Sequence, residues 1–130
     1  MVQRSLGAKL FAMKTVVLGA TPNPSRYAYI AAHRLVRHGH EIVNVGIKAG
    51  EVAGASIRNG QPALDEVDTV TLYIGPARQP PYYAWLLSLQ PRRIIFNPGT
   101  ENLELARLAQ AAGIEVEVGC TLVMLASGQY

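Results

Sequence analysis

The sequence predicts an α/β fold built on a single doubly wound, mostly parallel five-stranded sheet with helices on both faces. Short apolar, β-branched runs alternate with helical patterns along the chain, the arrangement that yields parallel strands joined by helical crossovers. The first run, Thr15-Val16-Val17-Leu18, stops at Gly19, passes a Pro/Asn/Ser turn and re-emerges as a helical pattern at about Tyr27. A strand that ends at glycine and restarts as a helix is the first half of a βαβ nucleotide site. The helix N-terminus there offers free N–H groups and a partial positive charge to a phosphate.

The helical stretch Tyr27 to His38 sets Tyr27, Ala31 and Leu35 beside Ala28, Ala32 and Val36 on adjacent faces. Ser25 is the expected N-cap and Gly39 the stop. Glu41 to Ile47 reads as the second strand, completing one right-handed parallel crossover. Lys48 to Pro62 is rich in glycine and polar residues and reads as a loop with a small hairpin around Asn59-Gly60. Asp68 to Gly75 is the third strand. Pro80-Pro81 opens a helix whose apolar face comes from Tyr82 to Leu89 and which Pro91 stops. Arg92 to Asn97 is the fourth strand, and Asn97-Pro98-Gly99-Thr100 is a second tight βα turn. A helix from about Asn102 to Ala112 stops at Gly113, Glu115 to Cys120 is the fifth strand, and Thr121 to Ala126 a last short helical piece. In the doubly wound order 3-2-1-4-5, the Gly19 and Asn97 turns lie side by side at the topological switch point, where a ligand is expected.

With 130 residues, 49% of them apolar and 16% charged, the chain is long enough to bury a core and too apolar to be disordered. One domain spanning residues 14–130 is expected, after an N-terminal extension of residues 1–13. That extension carries Arg4 and Lys9 and no acid, which suits a weak amphipathic targeting peptide or an upstream start. The strand beginning directly after Met13 favours the second. No apolar run is long enough to cross a bilayer, so a soluble, cytoplasmic protein without a membrane partner is expected. The net charge of +3 suits an anionic small ligand but lacks the Lys/Arg clustering of a nucleic-acid surface. Cys120, the one cysteine, rules out an internal disulfide and fits a reducing compartment.

The end of the second strand is the most telling position. An NAD site wants Asp or Glu there to hold the ribose hydroxyls. This chain reads Gly46-Ile47-Lys48, with Glu51 beyond a glycine. A cation in that place points to a phosphorylated ribose, as in NADP or coenzyme A, unless Lys48 is an ordinary solvated lysine. Arg26 opens the first helix, where a cation opposes the helix dipole and an anion is expected nearby; as a surface residue it would stack on Tyr27 or Tyr29. Arg78 either closes over the ligand or faces solvent. Thr21 and Asn23 either donate to phosphate or shape the turn. Asn97 and Thr100 share that ambiguity, with Thr100 a candidate cap for the following helix and Asn97 a brace for the turn.

Catalytic and metal constellations are thin. His33, His38 and His40 fall on the first helix and the turn after it, away from the strand ends. No CxxC spacing and no GxSxG elbow occurs. Cys120 reads as a buried, inert thiol, or as a redox partner for a ligand thiol if exposed. Tyr73, Tyr82, Tyr83 and Trp85 are expected in the core, one of them free to wall an adenine.

The segments KTVVLGATPNPSRY, HEIVNVGIK, TVTLYI, RRIIFNPGTENLELARLAQAAGIEV and GCTLVML resemble the small bacterial CoA-binding domain proteins. Those are similar to the CoA-binding domain of the succinyl-CoA synthetase α-subunit and of ADP-forming acyl-CoA synthetases. The likeness runs from about Lys14 to Tyr130, and the GATPNPSRY and FNPGTEN turns are its specific pieces. It implies a Rossmann-like fold binding coenzyme A, with the pyrophosphate over Gly19, Ala20, Thr21, Pro22, Asn23 and Arg26. The adenosine would lie near Gly46, Ile47 and Lys48, and Arg78 with Asn97, Pro98, Gly99 and Thr100 would line the pantetheine side. Many members carry Asn-Pro where this chain has Gly46-Ile47. The synthetases also carry a phosphorylated histidine in a further domain, beyond the end of this chain, so their ligase reaction does not carry over. The expectation is a non-catalytic binding module or sensor for CoA or an acyl-CoA, compatible with a homodimer. The alternative is an NADP-dependent oxidoreductase on the same fold, for which no Tyr-x-x-x-Lys arrangement is recognisable.

Overall fold

A computed structural model describes residues 13–130; the expectations about the extension ahead of Met13 lie outside them. The first half of the chain forms β1 (Thr15–Leu18), α1 (Tyr27–Arg37), β2 (Ile42–Val45), β3 (Glu51–Val52) and β4 (Ala55–Arg58). The second half forms β5 (Thr69–Leu72), α2 (Tyr83–Ser88), β6 (Arg93–Phe96), α3 (Leu103–Ala111), β7 (Glu115–Val118) and α4 (Thr121–Ser127). Two short 3-10 turns, Pro76–Arg78 and Pro80–Tyr82, lead into α2. The strands make one sheet in the order β3-β4-β2-β1-β5-β6-β7. Every neighbouring pair is parallel except β3 with β4. The α/β, mostly parallel, Rossmann-like architecture is therefore as the sequence predicts, but the sheet has seven strands rather than five.

The two additional strands come from the stretch expected to be a loop. Their hairpin turns at Ala53-Gly54, with φ of +53° and +84°, and not at Asn59-Gly60. Positive φ at both central residues is the usual geometry of a two-residue hairpin, but Asn-Gly is its ordinary signal and alanine is not. The fully buried Asn44 holds the hairpin, its Nδ2 donating to the Val52 and Ala55 carbonyls at 3.0 Å each. β4 then pairs in parallel with β2 through Asn44↔Ile57 and Val45↔Arg58. This displaces the strand read as third in sequence: β5 lies on the other side of β1. With β4 counted, the parallel strands run 3-2-1-4-5-6, and the switch point falls between β1 and β5. The expected adjacency of the Gly19 and Asn97 turns is thereby corrected, because β5 stands between β1 and β6.

Alternate strand residues face opposite layers, as the period of two requires. Val16, Leu18, Val45, Val70, Leu72, Ile94 and Phe96 pack with Trp85 and Leu86 of α2 and Leu105 and Ala109 of α3. Val17, Ile42 and Ile57 pack with Ala28, Ala32 and Leu35 of α1 and Leu125 of α4. Between the strands and α4 there is also a polar seam of buried Thr15, Thr69, Thr71, Arg93 and Thr121. Thr71 and Thr121 share a hydrogen bond of 2.8 Å, and Arg93 Nε donates to Thr69 Oγ1 at 2.9 Å. The Arg93 guanidinium lies 4.3 Å from the centroid of the Tyr130 ring, whose hydroxyl bonds Thr15.

Candidate functional site

The C-terminal ends of β1, β2 and β5 open onto a cleft of about 790 Å³. Its centre is the turn after β1. Gly19 has φ +105°, and a Cβ there would lie 2.8 Å from the Tyr73 carbonyl carbon and oxygen, so both conformation and space require glycine. The Gly19 and Ala20 N–H groups donate to the Val45 carbonyl at 2.8 and 3.1 Å. On that side Gly46 closes in: a Cβ would stand 2.5 Å from the Ala20 oxygen. The turn is thus wedged between the ends of β2 and β5.

Asn23 organises the next few residues. Its Oδ1 accepts from Ser25 N–H at 3.0 Å and Ser25 Oγ at 2.8 Å, while Asn23 N–H donates to Thr21 Oγ1 at 3.2 Å. The N-cap of α1 is Arg26, with no side-chain cap and no acid in the first turn. Ser25 does not cap the helix as expected, because its hydroxyl is committed to Asn23. The α1 N-terminus therefore meets the cleft with its partial positive charge uncompensated by a carboxylate.

Gly46, Ile47 and Lys48 form the wall beyond β2. Asn59 Nδ2 donates to the Gly46 and Lys48 carbonyls and so fixes this segment. Tyr27 and Ile47 both line the cleft and are 72% and 68% exposed, an apolar pair left open to solvent at its rim. Pro22 does not line the cleft; it lies 3.4 Å from where a Gly50 Cβ would be, bracing the loop after Lys48.

Tyr73, Ile74 and Gly75 make the opposite wall, with Arg78 and Tyr82 above them. The Tyr73 hydroxyl is enclosed beside Thr71 and Thr121, and burial pushes its pKa up to about 12. Trp85 sits in the core and donates through Nε1 to the Pro62 carbonyl at 2.8 Å. Gln79, fully buried, ties two loops together: Nε2 donates to the Ile74 and Thr100 carbonyls at 3.0 and 2.8 Å, and Oε1 accepts from Asn102 at 2.9 Å. Through this bridge Pro98, Gly99 and Thr100 reach the cleft although β6 is not next to β1.

Asn97 does not reach the cleft. Its Nδ2 donates to Thr71 Oγ1 at 2.7 Å and the Leu72 carbonyl at 2.9 Å, and its Oδ1 accepts from Thr121 N–H at 2.9 Å. It braces the turn, as one of its two readings held. Thr100 Oγ1 donates to the Asn97 carbonyl, and the cap of α3 is Asn102, which accepts from Leu105 N–H at 3.2 Å. The expectation that Thr100 caps is corrected by that prior commitment of its hydroxyl. Cys120 is half-buried at the N-cap of α4 rather than buried in a strand, and it does not line the cleft. His38 and His40 lie at the other end of the sheet. His38 Nδ1 bonds the Arg34 carbonyl at 2.8 Å, and His40 Nδ1 accepts from Met13 N–H at 2.9 Å.

Thr21, Asn23, Arg26, Gly46, Lys48 and Arg78 are thus gathered around one cleft. Among the described residues three cations line it, Arg26, Lys48 and Arg78, and no Asp or Glu does. Among the described residues ion pairs are confined to Arg92 and Arg93, so none of the three is neutralised. Sequence reasoning passed over Ser25, Tyr27, Ile74 and Gly75 as cleft residues, and Gln79 and Asn59 as supports. The first four flank the motifs that were read. The last two act on backbone carbonyls that only the sheet order brings near, so no spacing marks them.

Comparison with known proteins finds the same fold elsewhere. An uncharacterized protein of known crystal structure is 55% identical, covering 92% of this chain and 98% of its own, with a TM-score of 0.90. A Thermus thermophilus protein is 22% identical with a TM-score of 0.81, covering 92% of this chain and 91% of its own. A hypothetical protein from Pyrococcus horikoshii OT3 is also 22% identical, with a TM-score of 0.79 over 94% of this chain and 86% of its own. These last two share the fold. No curated protein matches. The CoA binding domain family matches residues 13–126, nearly the whole described chain, and the protein belongs to that family.

Proposed function

We propose that residues 14–130 bind coenzyme A or an acyl-CoA in this cleft, as a non-catalytic module or sensor. The observation that carries the reading is the cleft's charge: three unneutralised cations and no carboxylate line it. Coenzyme A presents a pyrophosphate and a ribose 3′-phosphate, so it matches several cations spread along one groove. The pyrophosphate lies over Gly19 to Asn23, at the uncapped α1 N-terminus beside Arg26. The adenosine lies toward Gly46, Ile47 and Lys48, and the pantetheine arm runs past Arg78 and the Pro98–Thr100 turn. Asn97 contributes by holding that turn and not by touching the ligand. Family membership supports the ligand class. The enclosed Tyr73 hydroxyl favours binding over reduction, since a reductase needs a proton donor that reaches its substrate.

Thermal unfolding with CoA, NADP and NAD at equal concentration tests this. A ligand at a hundredfold excess over Kd adds about 2.7 kcal/mol, a rise of roughly 10 °C in a chain this size. CoA is expected to give the largest rise. A larger rise with NADP would turn the reading to an oxidoreductase, and no rise with any of them would overturn it.

A further inference from the structure

The end of β4 carries a cation, Arg58, that does not itself line the cleft. Arg58 is the last residue of β4 and is exposed. Its Cα pairs in register with Val45, the last residue of β2, and its carbonyl accepts from Gly46 N–H at 3.0 Å. Arg58 therefore stands one inter-strand spacing, about 4.8 Å, from Val45, the residue just before the Gly46–Lys48 wall. The next residue, Asn59, clasps the Gly46 and Lys48 carbonyls, so the ends of the two strands are one fixed unit.

Lys48 and Arg58 stand on this unit without a carboxylate partner, since among the described residues ion pairs are confined to Arg92 and Arg93. The nearest acid in the sheet, Glu51, pairs with Ser56 on the outer edge, two residues back along β4. Like charges on neighbouring strand ends repel, and an anion shared between them removes that cost. In the sheet β4 is two strands from β1, so the position lies on the side of the Gly46–Lys48 wall away from the switch point. A second, separate phosphate belongs there.

We propose that Arg58 is a specificity-determining residue, forming with Lys48 a two-cation subsite for the ribose 3′-phosphate that selects CoA over dephospho-CoA. The inference rests on the CoA reading above, and the test separates the two. Calorimetry gives Kd for CoA and for dephospho-CoA, and their ratio isolates the 3′-phosphate. Arg58→Gln is expected to shrink that ratio about tenfold while moving the dephospho-CoA Kd less than twofold, the size expected of a charge-assisted bond at an exposed site. Arg58→Lys restores part of the ratio. Arg37→Gln, which removes the same charge at the opposite end of α1, leaves it unchanged. The inference is overturned, with the CoA reading intact, if the wild-type ratio is near one. It is equally overturned if Arg58→Gln weakens both ligands alike, or weakens neither. If the wild type binds neither ligand, the CoA reading itself fails and takes the subsite with it.

Discussion

Replacing Gly46 by alanine tests how the cleft is built. A Cβ at this position would stand 2.5 Å from the Ala20 oxygen and 3.1 Å from the Ala20 nitrogen. Both are backbone atoms and cannot rotate away, so the end of β2 and the turn after β1 must part by several tenths of an ångström. The same parting stretches the Gly19 and Ala20 hydrogen bonds to Val45, now 2.8 and 3.1 Å. Losing both costs about 1–3 kcal/mol, and overpacking adds about 1–3 kcal/mol. The sum, roughly 2–6 kcal/mol, is a large share of the 5–15 kcal/mol that holds an ordinary domain folded. Urea and thermal unfolding followed by circular dichroism measure it directly. Gly119→Ala is the control, since a Cβ there meets nothing within 4 Å and its φ is ordinary; it should cost less than about 0.5 kcal/mol. Because the turn proposed to take the pyrophosphate includes Ala20, CoA affinity measured where Gly46→Ala is still folded should also fall, by about tenfold or more. A variant that unfolds within about 2 °C of the wild type refutes the wedge. Unchanged affinity in a destabilised variant refutes the placement of the phosphates.

Two further substitutions probe the supports. Gln79→Leu keeps the volume but leaves the Ile74 and Thr100 carbonyls and the Asn102 amide without their buried partner. The expected cost is about 3 kcal/mol, with a severalfold loss of CoA affinity as Pro98–Thr100 loosens; a cost under about 1 kcal/mol in urea would sink this account. His40 governs the acid side of stability. Burial, with His38 and Arg93 nearby, holds its pKa below the usual 6.5. The unfolded chain therefore takes up the proton first, and stability, full above about pH 6.5, declines as the pH falls from there toward the folded pKa. For Asp68, burial opposes ionisation, but hydrogen bonds from Arg92 and Thr69 outweigh it and hold the carboxyl below 3.8. A second decline accordingly begins only below about pH 4. His40→Asn keeps an acceptor for Met13 N–H and should abolish the upper decline; an unchanged slope between pH 7 and 5 would show that His40 is not its source.

The parts of the fold legible in the sequence are those whose signal is local. β1, β2, β5 and β6 are buried on both faces and read as short runs rich in β-branched residues, and α1 and α3 announce themselves by their period. The β3–β4 hairpin is different: two and four residues long, exposed along much of its length, and turned by Ala53-Gly54. It has no local signal strong enough to outweigh its polar composition. A loop with its hairpin only at Asn59-Gly60 leaves β2 uncovered and puts β5 beside it, because the position of β5 depends on whether another strand already covers β2. The same limit applies within the site. Lys48, Arg26 and Thr21 could be placed from the strand ends they follow. What Asn97 does depends on Thr121, 24 residues later, and on the neighbouring β5. The misread caps have a common cause, since Ser25 and Thr100 each bond a residue of their own turn before the helix can use them.

The two faces of the sheet hold the cleft in different ways. Against α2 and α3 the contact is apolar, which secures burial but is tolerant of small slips in side-chain position. Against α4 the packing of Leu125 is joined by directional bonds from Thr71, Thr121 and Asn97, each of which is lost if its partner moves by an ångström. Asn97 joins the ends of β5 and β6 to the start of α4, Gln79 joins the loops beyond the same two strands, and Asn59 does the same for β2 and β4. Each of these walls is therefore pinned by a side-chain amide across strand ends. Such walls can hold Arg26, Lys48 and Arg78 around one groove with no carboxylate between them, because the repulsion falls on elements that cannot yield to it. An entering polyanion relieves that repulsion without the protein having to rearrange, so little ordering cost is set against the electrostatic gain. By the same argument CoA affinity weakens steadily with ionic strength, as the three cations are screened over about 8 Å at physiological salt.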